Sequence, residues 1–387
     1  MGSLFSSWLL LACFAASPAI TPDRTELERI FAELSAATGL PIRHAVKFQV
    51  LSRTQVNRFL EDRIREAVKP AELRAEELTL KKLGFVPADF DLKKTTIALL
   101  TEQTAAFYDY RRKQLFLTDW ASDSLREAAT VHEMAHALAD QNYSLERFAK
   151  KVQNDTEKSA ARQAVVEGQA SWLMRELDRH HPEHKQSAQV DTPFPVFDQA
   201  PLYLRETLTF PYNYGTEFQQ AVYARFGRDS FRKVFVEPPV STQQILHPEV
   251  YFAGTQPVPV PLPAIHGMRS LVEGPLGELD HSILLRQWTT DEDAREVSPH
   301  WRGGRYQLWE NRKSGRVSLV YGSVWDTAAA ASKFFALYAQ MLRKKLSGLQ
   351  ITEERDTLYA GKASDGYFTL QLEGVKVTAR EGLADRP

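Results

Sequence analysis

The run Ser124-Leu125-Arg126-Glu127-Ala128-Ala129-Thr130-Val131-His132-Glu133-Met134-Ala135-His136-Ala137-Leu138-Ala139-Asp140 reads as one helix. Ser124 and Glu127 have the spacing of a capping box, and helical periodicity then carries the element to about Asp140. Inside it lie two histidines four positions apart. On a helix, residues i and i+4 share a face with Cβ atoms about 6 Å apart, so His132 and His136 can hold one metal ion between them. Glu133 then sits beside the ion without ligating it, placed to take a proton from a metal-bound water. That combination is the chemistry of metal-assisted hydrolysis, with Glu133 as general base and one Zn²⁺ per chain.

A catalytic zinc needs a third protein ligand and an open fourth position. Among the downstream acids, Glu167 stands in Ala164-Val165-Val166-Glu167-Gly168-Gln169-Ala170-Ser171-Trp172, a helical stretch of apolar and small residues. A carboxylate is costly to bury there unless it is paired, and a metal would pair it. Glu157 and Glu176 have more polar neighbours and read as solvated, and Glu146 lies too close to the end of the motif helix to swing back. Asp140, four positions after His136, is either a partner that orients that imidazole or a helix-surface acid. Gly168, Ala170 and Ser171 would let the Glu167 helix approach a neighbour closely.

Working outward, Ala105 to Leu117 reads as two short aromatic-rich strands around a polar turn. Before it come helical patterns at Leu27 to Leu34, Thr54 to Val68 and Ala71 to Leu83, and a strand at Val46 to Leu51. A long helix is expected over Asp155 to Arg179, then a mixed region to about Gln256. Pro257-Val258-Pro259-Val260-Pro261-Leu262-Pro263 favours an extended polyproline II segment and is expected to be a linker. Beyond it, helices at Leu276 to Trp288 and Thr327 to Leu346 alternate with strands at Arg305 to Trp309, Val317 to Val324 and within Thr357 to Val377. The expected class is α+β: a mainly helical domain over residues 20–256 and a smaller α+β domain over 264–387.

The chain has 387 residues and a formal net charge of -1, which argues against nucleic-acid binding driven by bulk charge. An apolar share of 43% with 25% charged residues suits a folded chain with a substantial core. One cysteine, Cys13, excludes a disulfide framework and a cysteine-based zinc site. It lies in an apolar run from Leu4 to Ala16, too short to span a bilayer, that ends in Ser17-Pro18-Ala19. Residues 1–19 therefore read as an export signal, although no Lys or Arg precedes the apolar run. A variant reading takes Leu10-Leu11-Ala12 before Cys13 as a lipoprotein box; the protein would then meet a membrane only through a lipid on Cys13.

The two histidines and the downstream glutamate resemble the gluzincin type of metallopeptidase. His132 to Asp140 is similar to the corresponding helix of thermolysin-like enzymes. The likeness is closer to a group of poorly characterised bacterial metallopeptidases that join four elements: a Tyr-Asp hairpin (Phe107-Tyr108-Asp109), the motif helix followed by Asp140-Gln141, a Val166 to Ala170 segment, and Ser241 to Pro248. The third histidine of a metzincin is absent, since position 142 is Asn. The resemblance implies a zincin-like domain whose small mixed sheet offers an edge strand, the first hairpin strand or its partner, to an extended peptide. Together with the export signal read at residues 1–19, it implies a secreted peptidase acting on peptides or proteins, an endopeptidase rather than an exopeptidase. It also implies a His or Tyr that stabilises the oxyanion, for which His247 and Tyr214 are the candidates. Ser171 stands where thermolysin-like enzymes carry an Asp that orients a ligand, so their substrate preference does not carry over.

Two further features have plainer readings. His180-His181-Pro182-Glu183-His184 reads as a solvated helix end, and Trp288, Trp301, Trp309 and Trp325 read as core residues before they read as a ligand groove. The alternative from another class is an inactive zincin-fold binding or scaffold protein acting through its C-terminal domain.

Overall fold

The computed structural model describes residues 24–67, 69–103, 106–120, 123–180 and 194–385, with the side chains of 63–67, 103, 123–127 and 180 set aside. The export signal, Cys13, the Ser124/Glu127 capping pair and the His180 to His184 cluster lie outside the described parts. Among the described residues, no helix is long and apolar enough to cross a membrane.

The chain is α+β, and its described residues form two sheets. The first is small and mixed: β1 (Lys47–Leu51) pairs parallel with β3 (Gln114–Thr118), which pairs antiparallel with β2 (Ala106–Asp109) in the order β1-β3-β2. Strand alternation divides its apolar side chains between two faces. Tyr108, Leu115 and Leu117 pack with Leu27, Ile30, Phe31 and Leu34 of the first helix and with Met134 and Leu138. Phe107, Phe116 and Leu51 face the other way, against Val56, Leu60 and Leu100. The expected hairpin edge is β2; its partner β3 is the centre of the sheet.

The second sheet is antiparallel throughout, in the order β4-β5-β6-β10-β9-β8-β7. Its strands are β4 (Arg269–Pro275), β5 (Trp301–Glu310), β6 (Val317–Trp325), β7 (Gln350–Arg355), β8 (Leu358–Ala363), β9 (Gly366–Glu373) and β10 (Lys376–Leu383). Helix Ala328–Lys345 covers one face, opened by Thr327, whose hydroxyl accepts the Ala330 N–H. Its Phe334 and Tyr338 pack on Tyr321 and Trp325.

The proline run is extended and lies on the opposite face. The Val258 N–H donates to the Arg302 carbonyl at 2.7 Å, and Gly303 and Gly322 leave the room that Val258, Val260 and Leu262 occupy. Nor does the core stop at residues 257–263: one apolar cluster joins Phe85, Ala164, Phe218 and Phe235 to Leu284, Tyr321, Phe334 and Tyr338. Polar contacts cross the same line. The Gly84 carbonyl accepts from the Trp288 indole at 3.0 Å, and Lys345 donates to the Lys82 carbonyl at 2.7 Å.

Residues 194–252, expected to be mixed, hold helices and no strand among those described, the longest being the cover helix Leu202–Phe226. Pro211 and Gly215 lie in its interior, and both are read locally as helix breakers. Packing overrides them. The Glu167 helix (Thr156–His180) crosses the cover helix so closely that a Cβ on Gly168 would lie 2.1 Å from the Gly215 backbone. A Cβ on Gly215 would lie 2.3 Å from the Ala164 carbonyl oxygen, so only glycine fits either side of this crossing.

Candidate metal centre

The motif helix, Asp123–Tyr143, presents Met134 and Leu138 to the core below the small sheet. That leaves His132, Glu133 and His136 facing the Glu167 helix. All four polar side chains are deeply buried: Glu133 and Glu167 are 0% exposed, His136 1% and His132 3%. Burying so much polar surface is tolerated only if the groups satisfy one another or a ligand.

The candidate donor atoms converge. His132 Nε2 and His136 Nε2 are 3.0 Å apart, and Glu167 Oε2 is 3.1 Å from the first and 3.3 Å from the second. The imidazole rings meet edge to face, with centroids 4.6 Å apart. Four-coordinate zinc with ligands at about 2.0–2.2 Å places neighbouring donor atoms about 3.3–3.6 Å apart. The observed triangle is close to one face of that tetrahedron. Two nitrogens and a carboxylate oxygen in mutual contact lack the protons to satisfy one another fully, whereas a single cation at their centre would satisfy all three. Two buried carboxylate oxygens, Glu167 Oε1 and Glu133 Oε1, also have no protein partner.

The protonation states suit the same role. Burial pushes His136 down toward the neutral imidazole, against the pull of Glu167. For Glu167, burial favours the protonated form, but the imidazoles of His136 and His132 outweigh it and hold the carboxyl below its ordinary range. Neutral imidazole and ionised carboxylate are the forms a metal ligates. Glu133 behaves differently: burial, then the charge of Glu167, raise it well above the ordinary carboxylate range, opposed by one hydrogen bond. That bond comes from the β2 backbone, where the Tyr108 N–H donates to Glu133 Oε2 at 2.7 Å.

The other candidates fall elsewhere. His247 Nε2 is 2.8 Å from Glu278 Oε1, within a segment whose polar side chains tie elements together. Thr242 donates its N–H and hydroxyl to Glu157 at 2.5 and 2.8 Å, and Gln243 donates to the Trp301 carbonyl at 2.8 Å. Tyr214 is 39% exposed and meets Phe210. The tyrosine ring that meets a candidate ligand is that of Tyr212, which stacks on His132 with centroids 6.0 Å apart. Its signal was the Gly168–Gly215 crossing: Tyr212 precedes Gly215 by one helical turn and Glu167 adjoins Gly168. That could be read only once residues 202–226 were known to be a helix.

Two readings of acids are corrected. Glu157 is not solvated but buried in the joint between the Glu167 helix and Thr242, where its carboxylate fills the space a Cβ on Gly277 would take, 1.9 Å from Oε2. Asp140 is not hydrogen-bonded to His136; its oxygens accept from Lys113, Tyr108 and the Leu145 N–H. Of the tryptophans, Trp301 and Trp325 are core residues and Trp288 anchors on Gly84.

Residues 267–386 match a family described as a domain of unknown function (DUF8575). The match lies wholly C-terminal to His132, His136 and Glu167. No curated protein and no solved structure matches the chain.

Proposed function

We propose that this chain is an exported zinc-dependent metallopeptidase of the gluzincin type, in which His132, His136 and Glu167 hold the ion. The observation that carries this is the convergence of three donor atoms at 3.0–3.3 Å beside a buried carboxylate that keeps one oxygen free of protein partners. The word peptidase rests on the family resemblance; the donor set supports metal-assisted hydrolysis. Zinc bound there would acidify a water and polarise a substrate carbonyl.

The chain's own residues then divide the work. Glu133 Oε2 is clamped by the Tyr108 N–H, while Oε1 is available to accept the proton of the attacking water and hand it to the leaving amine. Tyr212, against His132, orients that ring and is the phenol to test for a hydrogen bond to developing oxyanion charge, ahead of Tyr214 and His247. The substrate is an extended peptide or protein, for which β2 is the edge on the motif-helix side.

The test is zinc per chain by elemental mass spectrometry on dialysed protein, with hydrolysis of fluorescein-labelled casein by the parent and Glu133→Gln. About one zinc in both, with hydrolysis lost by about 10²–10⁴-fold in the variant, is the expected outcome, because the amide cannot take the proton. A folded parent without zinc would sink the proposal and favour the scaffold reading.

A further inference from the structure

Lys113 ends the β2–β3 turn at φ 55°, in the left-handed region where glycine is the usual occupant. A residue other than glycine persists there where surrounding contacts hold it. The rest of the turn is set by Asp109, whose Oδ1 accepts the Arg111 and Arg112 N–H groups at 2.9 and 3.1 Å. Lys113 Nζ reaches both oxygens of Asp140, at 2.9 and 2.7 Å. Asp140 is buried, and it also accepts the Tyr108 hydroxyl at 2.9 Å and the Leu145 N–H at 2.9 Å.

Asp140 lies seven positions after Glu133 on the motif helix, so both face the same strand. Tyr108 therefore bonds to that helix at both its ends: its backbone N–H to Glu133, its phenol to Asp140. With one end of Tyr108 fixed by the Lys113–Asp140 pair, the other holds one oxygen of Glu133, and the second oxygen has no hydrogen-bond partner. We propose that Lys113, Asp140 and Tyr108 form a positioning clasp that orients Glu133 for proton transfer; this rests on the peptidase reading above. None of the three is one of the candidate metal ligands, and the Tyr108 phenol and the Lys113 side chain are tied to Asp140. They act through the placement of a carboxylate, where displacements of about 1 Å are costly to rate.

The experiment uses the full chain with zinc bound and compares Tyr108→Phe, Lys113→Met and Lys113→Arg with the parent. Zinc per chain, melting temperature, and kcat and KM on fluorescein-labelled casein are measured for each. The clasp predicts that Tyr108→Phe and Lys113→Met lower kcat by about tenfold with KM and zinc content unchanged, and that Lys113→Arg recovers most of the loss. Lys113 is half-exposed, so its pair of variants carries the test even if Tyr108→Phe fails to fold. An unchanged kcat, or a loss only in proportion to lost zinc, overturns the clasp and leaves the peptidase reading intact. A zinc-loaded parent that hydrolyses nothing removes both.

Discussion

His281 beneath the large sheet is 1% exposed, the same as His136 beneath the small one, yet the two histidines are satisfied in opposite ways. His281 Nδ1 lies 2.6 Å from the Gly277 carbonyl and Nε2 lies 2.7 Å from the Tyr321 hydroxyl, so both nitrogens have protein partners. Burial lowers it to about 4, and it stays neutral as a packed, hydrogen-bonded core residue. At the centre near the small sheet, His132, His136 and Glu167 have chiefly one another, and two neighbouring carboxylate oxygens have no protein partner. Burial is common to both regions; what differs is that the buried histidines near the small sheet converge on each other and on Glu167, the arrangement that the proposed metal ion would satisfy.

The sharpest way to break the comparison is to remove one polar group from each side. Glu167→Ala should lower zinc affinity by well over the ~10–100-fold that loss of an outer partner causes, read by competition with a fluorescent chelator. Gly168→Ala should come next. Its new Cβ meets the Gly215 backbone at 2.1 Å, so the helices must separate, at about 1–3 kcal/mol, and zinc binding should weaken with the displacement of Glu167. Denaturant unfolding with and without chelator separates the two effects.

His281→Ala should have the reverse profile. It leaves the Tyr321 hydroxyl and Gly277 carbonyl short of a partner and should cost about 1–3 kcal/mol, with zinc per chain unchanged. If zinc fell as much here as in Glu167→Ala, the distinction between the two regions would be lost.

The smallest effect is expected at the joint between them. Burial raises Glu157 from 4.5 to about 8 and Asp280 from 3.8 to about 6. The folded chain therefore binds more protons than the unfolded chain between pH 4 and 8, and this part of its stability is complete at the acid end and declines as pH rises through that window. Glu157→Gln mimics the protonated form. Its melting temperature should fall less than the parent's between pH 5 and 8; parallel curves would show that Glu157 does not titrate there.

Much of this was legible before any fold was known. The motif pair follows from helical periodicity alone, and Glu167 was found by the cost of a lone carboxylate among Val165, Val166 and Ala170. The hairpin and the helix expected over Thr327 to Leu346 are likewise local signals, each read from residues within a few positions of one another. The helix through Pro211 was not, because proline and glycine report local cost while the Gly168–Gly215 contact that outweighs it joins positions 47 apart in the chain. Glu157 was misread for the same reason: its neighbours in sequence are polar, but its neighbours in space are Thr242 and Gly277.

By itself, then, the sequence determined which residue types could form a metal centre, since ligand spacing on one helix is a local property. Only tertiary structure decided that Tyr212 rather than Tyr214 meets His132, that His247 is turned to Glu278, and that Asp140 is taken by Lys113 and Tyr108. It also decided that the proline run lies against the sheet and that one core passes beneath it. These depend on contacts between segments far apart in the chain, and neither periodicity nor composition records those contacts.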